Sequence, residues 1–276
     1  MFKFRIIGFI LLMGLLGGIF FWDKGGVWLF AAAAPAMVGI AIGECCSMLN
    51  LSGRPTLVVP GAMVAWLIAV GVVTGFCIPV AFYSTSFLAV LLIIAGCGSL
   101  LSMKADTMER LFNTAGVIVL LAPPLVLLLC SYFLNPHGFW LMYLCLVTKA
   151  TDTGGYIVGT LTARLPGGNH KIAPGVSPKK SYEGLLGGLI LSLAVSLLFY
   201  RFGSTGMTLF WHIIAAVVLA FGSFFGDLTE SAIKRLCNIK DSGSFVPGMG
   251  GAFDVLDSFI YNGLLFWVLY FVKDIL

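Results

Sequence analysis

The sequence predicts an all-α, polytopic transmembrane helical bundle of about nine spans, and three observations carry that expectation. Hydrophobic residues make up 59% of the 276-residue chain and charged residues only 10%, whereas a soluble domain carries about a quarter charged residues to face water. The apolar residues run in stretches close to the roughly 20 that cross a hydrocarbon core about 30 Å thick. The chain also holds 34 glycines, which weaken helices in water but let helix backbones approach closely in lipid.

Taken in order, the spans are expected near 6–22, 27–49, 57–80, 86–103, 111–134, 138–160, 184–200, 207–226 and 252–272. The first follows Lys3 and Arg5 and resembles a signal-peptide core. It lacks an A-x-A cleavage site and more apolar sequence follows at once, so a retained helix is expected. Pro123 and Pro124 interrupt the fifth span and are expected to kink it, which neighbouring helices tolerate in a membrane. Lys149 falls inside the sixth. No internal repeat or low-complexity linker divides the chain, so 1–276 reads as one integral membrane domain, with motif-poor spans over 1–135 and a catalytic motif region over 150–262.

Lys and Arg crowd into the segments 161–183 and 233–251. With nine spans, positive-inside counting puts those loops and the N-terminus in the cytoplasm and the C-terminus outside. The net charge of +4 is modest and gives no reason to expect nucleic acid. The seven cysteines have no zinc-ligand spacing and read as small buried apolar residues. The three histidines are scattered, which argues against a histidine metal site.

The acidic residues are unevenly placed. Only Asp23, Glu44, Asp106 and Glu109 precede residue 150, and the other eight of the twelve follow it. A carboxylate deep in a span costs about 2.5–3.5 kcal/mol, so it marks a functional candidate by default. In GDLTESAIKR, Asp227, Glu230, Ser231 and Lys234 share one helix face. In KDSGSFVPGMGGAFDVLD, Gly248, Gly250 and Gly251 let the backbone turn and approach a ligand, and Asp254 and Asp257 follow at i, i+3 on the next helix. Three converging carboxylates, Asp227, Asp254 and Asp257, would repel unless a cation lay between them. Oxygen-only ligation points to a hard ion, Mg²⁺ first. Neighbouring lysines and an arginine then suit a nucleoside triphosphate. Phosphoryl or nucleotidyl transfer at a membrane is one reading of these residues; an ion-translocating site is the other. A second cluster, DTGGY through SPKKSYEG, brings Asp152, Lys171, Lys179, Lys180 and Glu183. The chain has no Walker A pattern.

At these residues the sequence closely resembles the phosphatidate cytidylyltransferase (CDP-diacylglycerol synthase) family. Its signature runs S-x-x-K-R-x4-K-D, a spacer, then P-G-H-G-G-x-x-D-R-x-D. SAIKRLCNIKD supplies Ser231, Lys234, Arg235, Lys240 and Asp241. PGMGGAFDVLD supplies Pro247, Gly248, Gly250, Gly251, Asp254 and Asp257. Met249 stands where histidine is usual and Val255 where arginine is usual. DTGGY with Asp152, SPKKSYEG with Ser177, Lys179, Lys180 and Glu183, and GDLTES with Asp227 are similar to the family's DTGAY, SPKKTWEG and GDLFES. The resemblance covers roughly 150–262.

The resemblance implies transfer of the cytidylyl group of CTP to phosphatidate at the cytoplasmic face, giving CDP-diacylglycerol and pyrophosphate. It implies Mg²⁺ on Asp227 and Asp254 with Asp257 close by, and a place for a second cation. Ser231, Lys234, Arg235, Lys240, Asp241 and Asp257 would serve catalysis. Asp152, Ser177, Lys179, Lys180, Glu183, Gly248, Gly250 and Gly251 would bind substrate. A homodimer in the bilayer is expected by the same likeness. A CTP-dependent polyprenol or phytol kinase and an ion-coupled transporter are the competing expectations.

Overall fold

The structure is a computed structural model that describes residues 2–23, 25–77, 105–203, 205–245 and 250–273. The helices are α1 (Phe2–Phe21), α2 (Gly26–Leu51), α3 (Val58–Cys77), α4 (Ala105–Cys130), α5 (Phe139–Thr162), α6 (Tyr182–Phe202), α7 (Leu209–Leu236), α8 (Ala252–Leu256) and α9 (Phe259–Val272). Two short strands, β1 (Lys171–Ala173) and β2 (Ser177–Ser181), pair antiparallel between α5 and α6.

Among the described residues, six helices are long and apolar enough to cross a membrane: α2, α3, α4 continued to Leu134, α6, α7, and Ala252–Val272 taken together. The chain is a nearly all-α, multi-pass membrane protein. The span expected at 86–103 lies outside the described residues. Helix α1 counts only through its shorter apolar part, Ile10–Phe21. Helix α5 is long enough but carries Lys149, Asp152 and several threonines. Leu186, Ile190, Phe210 and Val268 are exposed on the spanning helices, as lipid-facing side chains are.

Two local expectations need correction. The 161–183 segment is not a plain loop: it holds the β1–β2 hairpin, with Lys171 opposite Ser181 and Ala173 opposite Ser177. The apolar span expected at 207–226 gives way to polar residues there while helix α7 continues to Leu236, so Asp227, Glu230, Ser231 and Lys234 ride on one helix as expected. Asp257 does not continue the helix of Asp254. It lies in a turn between α8 and α9, because its Oδ1 takes the N–H of Ser258 at 2.6 Å and turns the main chain away from regular helical bonding. Pro123 and Pro124 sit inside α4, which carries helix on both sides of them.

The chain gathers into two compact units, the first made of Met1–Gly138 and Lys234–Leu256, the second of Phe139–Ile233 and Asp257–Leu276. In the first, small residues on α2 and α3 let the helices close: a Cβ on Gly39 would stand 2.8 Å from Trp66 Cβ, and one on Gly43 3.1 Å from Ala62 Cβ. Thr114 on α4 accepts the N–H of Leu57 at 2.8 Å, satisfying an orphan donor where α3 begins. Cys45 and Cys46 are free and buried, and Cys130 and Cys237 are the same; Cys145 is free and half-buried, so the apolar reading of these thiols fits.

In the second unit the pairing of α5 with α6 is backbone against backbone. A Cβ on Gly188 would meet Thr151 O at 2.8 Å and Thr151 Cγ2 at 3.0 Å. Gly184 faces Gly155 O in the same way. Close approach of this kind supplies the dispersion contact that holds helices together where water gives no hydrophobic drive. Buried polar pairs add to it. Tyr143 OH meets Ser196 Oγ at 2.8 Å, and His212 bonds Ser196 Oγ at 3.1 Å and Thr205 Oγ1 at 2.8 Å. A Gly188→Val chain should lose most of its yield of monodisperse protein, because the clash is with backbone that has no rotamer to yield. Size-exclusion elution and thermal unfolding in detergent check this; a variant that elutes and melts like the parent removes the backbone-contact account.

Candidate active site

In the second unit the hairpin presents its cations. Ser181 caps α6 by accepting the N–H of Gly184 at 3.1 Å, and Asn169 bonds Gly159 O at 2.8 Å, so the loop is fixed at both ends. Glu183 accepts the N–H of His170 with both oxygens at 3.1 Å and meets its ring Nδ1 at 2.6 Å. Expected to bind substrate, Glu183 is thus engaged in closing the hairpin. On β2, Lys179 is exposed and Lys180 half-buried.

A cavity of about 630 Å³ opens beside this hairpin, with Arg164, Lys171, Lys179 and Lys180 on its wall and Asp152 and Asp227 in its lining. Ser177 belongs to the same lining. The cavity therefore joins four cations to two acids in one unit. Lys180 Nζ bonds Asp227 Oδ2 at 2.9 Å and Phe224 O at 3.1 Å. Its side chain is 17% exposed against 25% for Asp227, so the pair is held away from most solvent.

Asp152 is gripped from two sides. Ser223 donates to its Oδ1 at 2.6 Å and Lys149 to its Oδ2 at 3.0 Å. Lys149 also donates to Ser258 Oγ at 2.6 Å and faces Asp257 Oδ1 at 3.9 Å. Gly226 lies directly against the main chain of Asp257 and Ser258, where a Cβ would collide with Asp257 O; α7 and the α8–α9 turn can touch because residue 226 has no side chain. Asp227 thereby comes within electrostatic reach of Asp257 and Asp152. Its Oδ1 is buried and has no hydrogen-bond partner, an arrangement that costs free energy unless something cationic completes it.

The first unit holds a separate constellation. Asp254 accepts from Lys234 Nζ at 3.2 Å, from Ser242 N at 3.1 Å and from Gly251 N at 2.8 Å. Glu44, on α2, accepts from Ser242 Oγ at 3.2 Å and from Phe253 N at 2.9 Å. The glycines here are spacers. Gly250 has φ +108°, and a Cβ there would run into Asp254; one on Gly251 would run into Glu44 and Ser242. Arg235 reaches Ile239 O at 3.4 Å, and Lys240 and Asp241 are exposed; Ser231, which belongs to the second unit, is half-buried. Gly248, with Pro247 and Met249, lies outside the described residues.

The expected site residues therefore fall into two sets. Asp152, Ser177, Lys179, Lys180, Asp227 and Asp257 belong to the second unit, and Lys234, Asp254, Gly250 and Gly251 to the first. Among the described residues no group of three or more His, Cys, Asp or Glu stands arranged to hold a metal ion. Mg²⁺ asks for less than that, since it commonly takes one or two carboxylates and fills its octahedron with water and substrate phosphates. Asp227, with its unpartnered oxygen, and the neighbouring Asp257 suit such a two-carboxylate site. Sequence reasoning missed Lys149, Ser223, Ser258 and Ser242.

The sequence profile of the cytidylyltransferase family matches residues 3–273. The chain is 39% identical over 122 residues to a phosphatidate cytidylyltransferase of Staphylococcus haemolyticus, covering 44% of this chain and 45% of that protein. It is 37% identical over 161 residues to the enzyme of that name from Haemophilus influenzae, covering 56% and 54%. The one from Bacillus subtilis is 32% identical over 157 residues, covering 54% and 56%. The chain spans about half the length of the curated relatives it matches.

Proposed function

The chain belongs to the cytidylyltransferase family, and from that premise we propose that it transfers the cytidylyl group of CTP to phosphatidate, giving CDP-diacylglycerol and pyrophosphate for phospholipid synthesis. The observation that carries the reading is the cavity in the second unit, where Arg164, Lys171, Lys179 and Lys180 line the same space as Asp152 and Asp227. A phosphate oxygen of phosphatidate forms a bond to the α-phosphorus of CTP, and the bond from that phosphorus to the bridging oxygen of pyrophosphate breaks. The nucleophile is already an anion, so no strong base is needed. The protein's work is orientation and charge neutralisation.

In this reading the lysines and arginine of the cavity wall take the phosphate charge of CTP and of the leaving pyrophosphate, with Ser177 as a neutral donor. Asp227 and Asp257 hold Mg²⁺, which when bound supplies positive charge to the phosphates. Asp152 is fixed by Ser223 and Lys149 at the edge of that group. Asp254 joined them in the sequence expectation as a ligand. Within the first unit it accepts from Lys234 Nζ, Ser242 N and Gly251 N; its part as a ligand, and charge neutralisation by Lys234, Arg235 and Lys240, are kept as the family resemblance implies them. Ser231, Asp241, Gly248, Gly250 and Gly251 keep the roles implied by the family resemblance.

Phosphatidate keeps its acyl chains in lipid and its phosphate at headgroup level. Positive-inside counting over nine spans would put the catalytic loops and the N-terminus on the cytoplasmic side and the C-terminus outside, and the family resemblance implies a homodimer as the working form. The decisive experiment supplies CTP labelled at the α-phosphorus to purified protein in detergent with Mg²⁺, with and without phosphatidate. Label is expected in lipid only when phosphatidate is present. Label leaving as soluble CDP while a polyprenol or phytol becomes phosphorylated would establish the kinase instead, and no turnover of CTP under either condition would sink the enzymatic reading.

A further inference from the structure

Lys149 has no part in the reading above beyond its contact with Asp152, yet its surroundings are unusual for a lysine. The ammonium Nζ lies 3.0 Å from Asp152 Oδ2, 2.6 Å from Ser258 Oγ and 3.9 Å from Asp257 Oδ1. The face of the Phe259 ring closes a further side, its centroid 5.0 Å away. The partners come from α5 and from the α8–α9 turn, two pieces of chain about 109 residues apart. Two carboxylates, one hydroxyl and one aromatic face stand around a single positive charge on a side chain that is 41% exposed, a set of partners that suits a small monovalent cation.

The chain also has a reason to carry a cation here. In the segment AFDVLD the position between the two aspartates is Val255, where the resembled signature has arginine, so that stretch lacks one positive charge. Asp152 and Asp257 need compensation, since both face the same ammonium, at 3.0 and 3.9 Å, and like charges so placed resist joint ionisation without a cation. Lys149 supplies it from a different helix. Its four-carbon stem makes that charge permanent: it does not depend on the ionic composition of the solution.

We propose that Lys149 acts as a tethered monovalent cation, its ammonium holding Asp152 and Asp257 in place from between them. Lys149 is thus a positioning residue for the proposed cytidylyl transfer, on which its effect on turnover rests; its role as a cation is independent of that reaction. The proposal separates Lys149 from a lysine that merely packs. A packing role is lost with the side chain and is not restored by ions, whereas a charge of this kind is replaceable by any small cation that fits the vacated space.

The test compares the parent with Lys149→Ala and with Lys149→Met, which keeps most of the stem's volume if the smaller variant yields no folded protein. Thermal unfolding in detergent is followed without nucleotide in choline chloride, and in potassium chloride or methylammonium chloride at the same ionic strength. The parent midpoint is expected to be the same in all three. The variants should unfold several degrees lower in choline and recover at least half of that loss in potassium or methylammonium. With substrates present, turnover should fall by about 10²-fold in choline, with the loss mainly in kcat, and rise again with the small cations. Variants that unfold at the parent temperature in choline overturn the proposal, and so does a loss that no small cation relieves. Absence of cytidylyl transfer in the parent itself would count against the proposed function alone, because the unfolding measurement uses no substrate.

Discussion

An Asp227→Asn chain is expected to lose about 10³-fold or more in cytidylyl transfer while unfolding at the parent temperature or above it. The two halves of this result come from the same geometry. Asparagine keeps the volume and leaves an oxygen that can still accept from Lys180, now 2.9 Å from Asp227 Oδ2. What disappears is the negative charge and the acceptor at Oδ1, the buried oxygen without a partner. An amide N–H₂ there can only repel a cation. Asp227 also stands in the field of Asp257 and Asp152, so removing its charge relieves repulsion in the folded state. A functional site that stores unfavourable electrostatics gives up stability for activity, and this substitution should show the exchange directly. Steady-state kinetics with α-labelled CTP and a thermal melt on the same preparation check both parts. Near-parent turnover would remove Asp227 from the metal-holding role, and a markedly lowered melting temperature would mean that the carboxylate is a structural member of its ion pair.

The parts of this architecture that were legible in the sequence are those written in local pattern. Apolar runs located α2, α3, α6 and α7 to within a few residues at most ends, and Asp152, Asp227 and Asp257, in or beside apolar runs, stood out as costly enough to need a purpose. The apolar run of α7 ends ten residues before the helix does, because its last turns carry Asp227, Glu230, Lys234 and Arg235; there the shared helix face of the polar residues, not hydropathy, marked the continuing helix. The hairpin was invisible for a related reason. SPKKS has no alternation of apolar residues, and its pairing depends on Tyr182 N reaching His170 O at 3.0 Å and on Glu183 closing the same gap.

Lys149 could have been found. It lies three residues before Asp152, one turn away on the same helix face, and an ionisable residue inside an apolar span is a functional candidate by rule. Its engagement with Ser258 could not, since that contact joins residues 109 apart. The same holds for Ser223 with Asp152, 71 apart, and for Glu44 with Ser242 and Phe253, 198 and 209 apart. Serines in these places read as small helix-packing residues until the fold shows what they face. Glycines gave the opposite signal. Gly226, Gly250 and Gly251 sit beside the acids in sequence because main chain or carboxylate comes too close for any Cβ.

The two adjacent lysines of β2 should separate cleanly under substitution, and this is the second large effect. Lys180→Met is expected to lower kcat by about 10²-fold or more, whereas Lys179→Met should chiefly raise the KM for CTP, by about tenfold. Successive residues on a strand point to opposite faces, and here Lys179 is exposed while Lys180 is half-buried with its ammonium on Asp227 Oδ2 and Phe224 O. Its charge also stands over the Phe224 ring, 4.7 Å from the centroid. Lys180 thus sets the orientation of a carboxylate whose other oxygen is buried without a hydrogen-bond partner, and its loss removes the ammonium bonded to Asp227, the costlier way to break an ion pair. Lys179 lines the same cavity without that duty, so it contributes attraction for phosphate in ground state and transition state alike, which appears in KM. Arginine at 180 should restore little, because a planar fork cannot serve a carboxylate and a carbonyl from the same point as a compact ammonium does. Equal kcat losses for the two methionine variants would mean that both lysines act on the phosphates alone, and that the Lys180–Asp227 pair has no part in arranging the site.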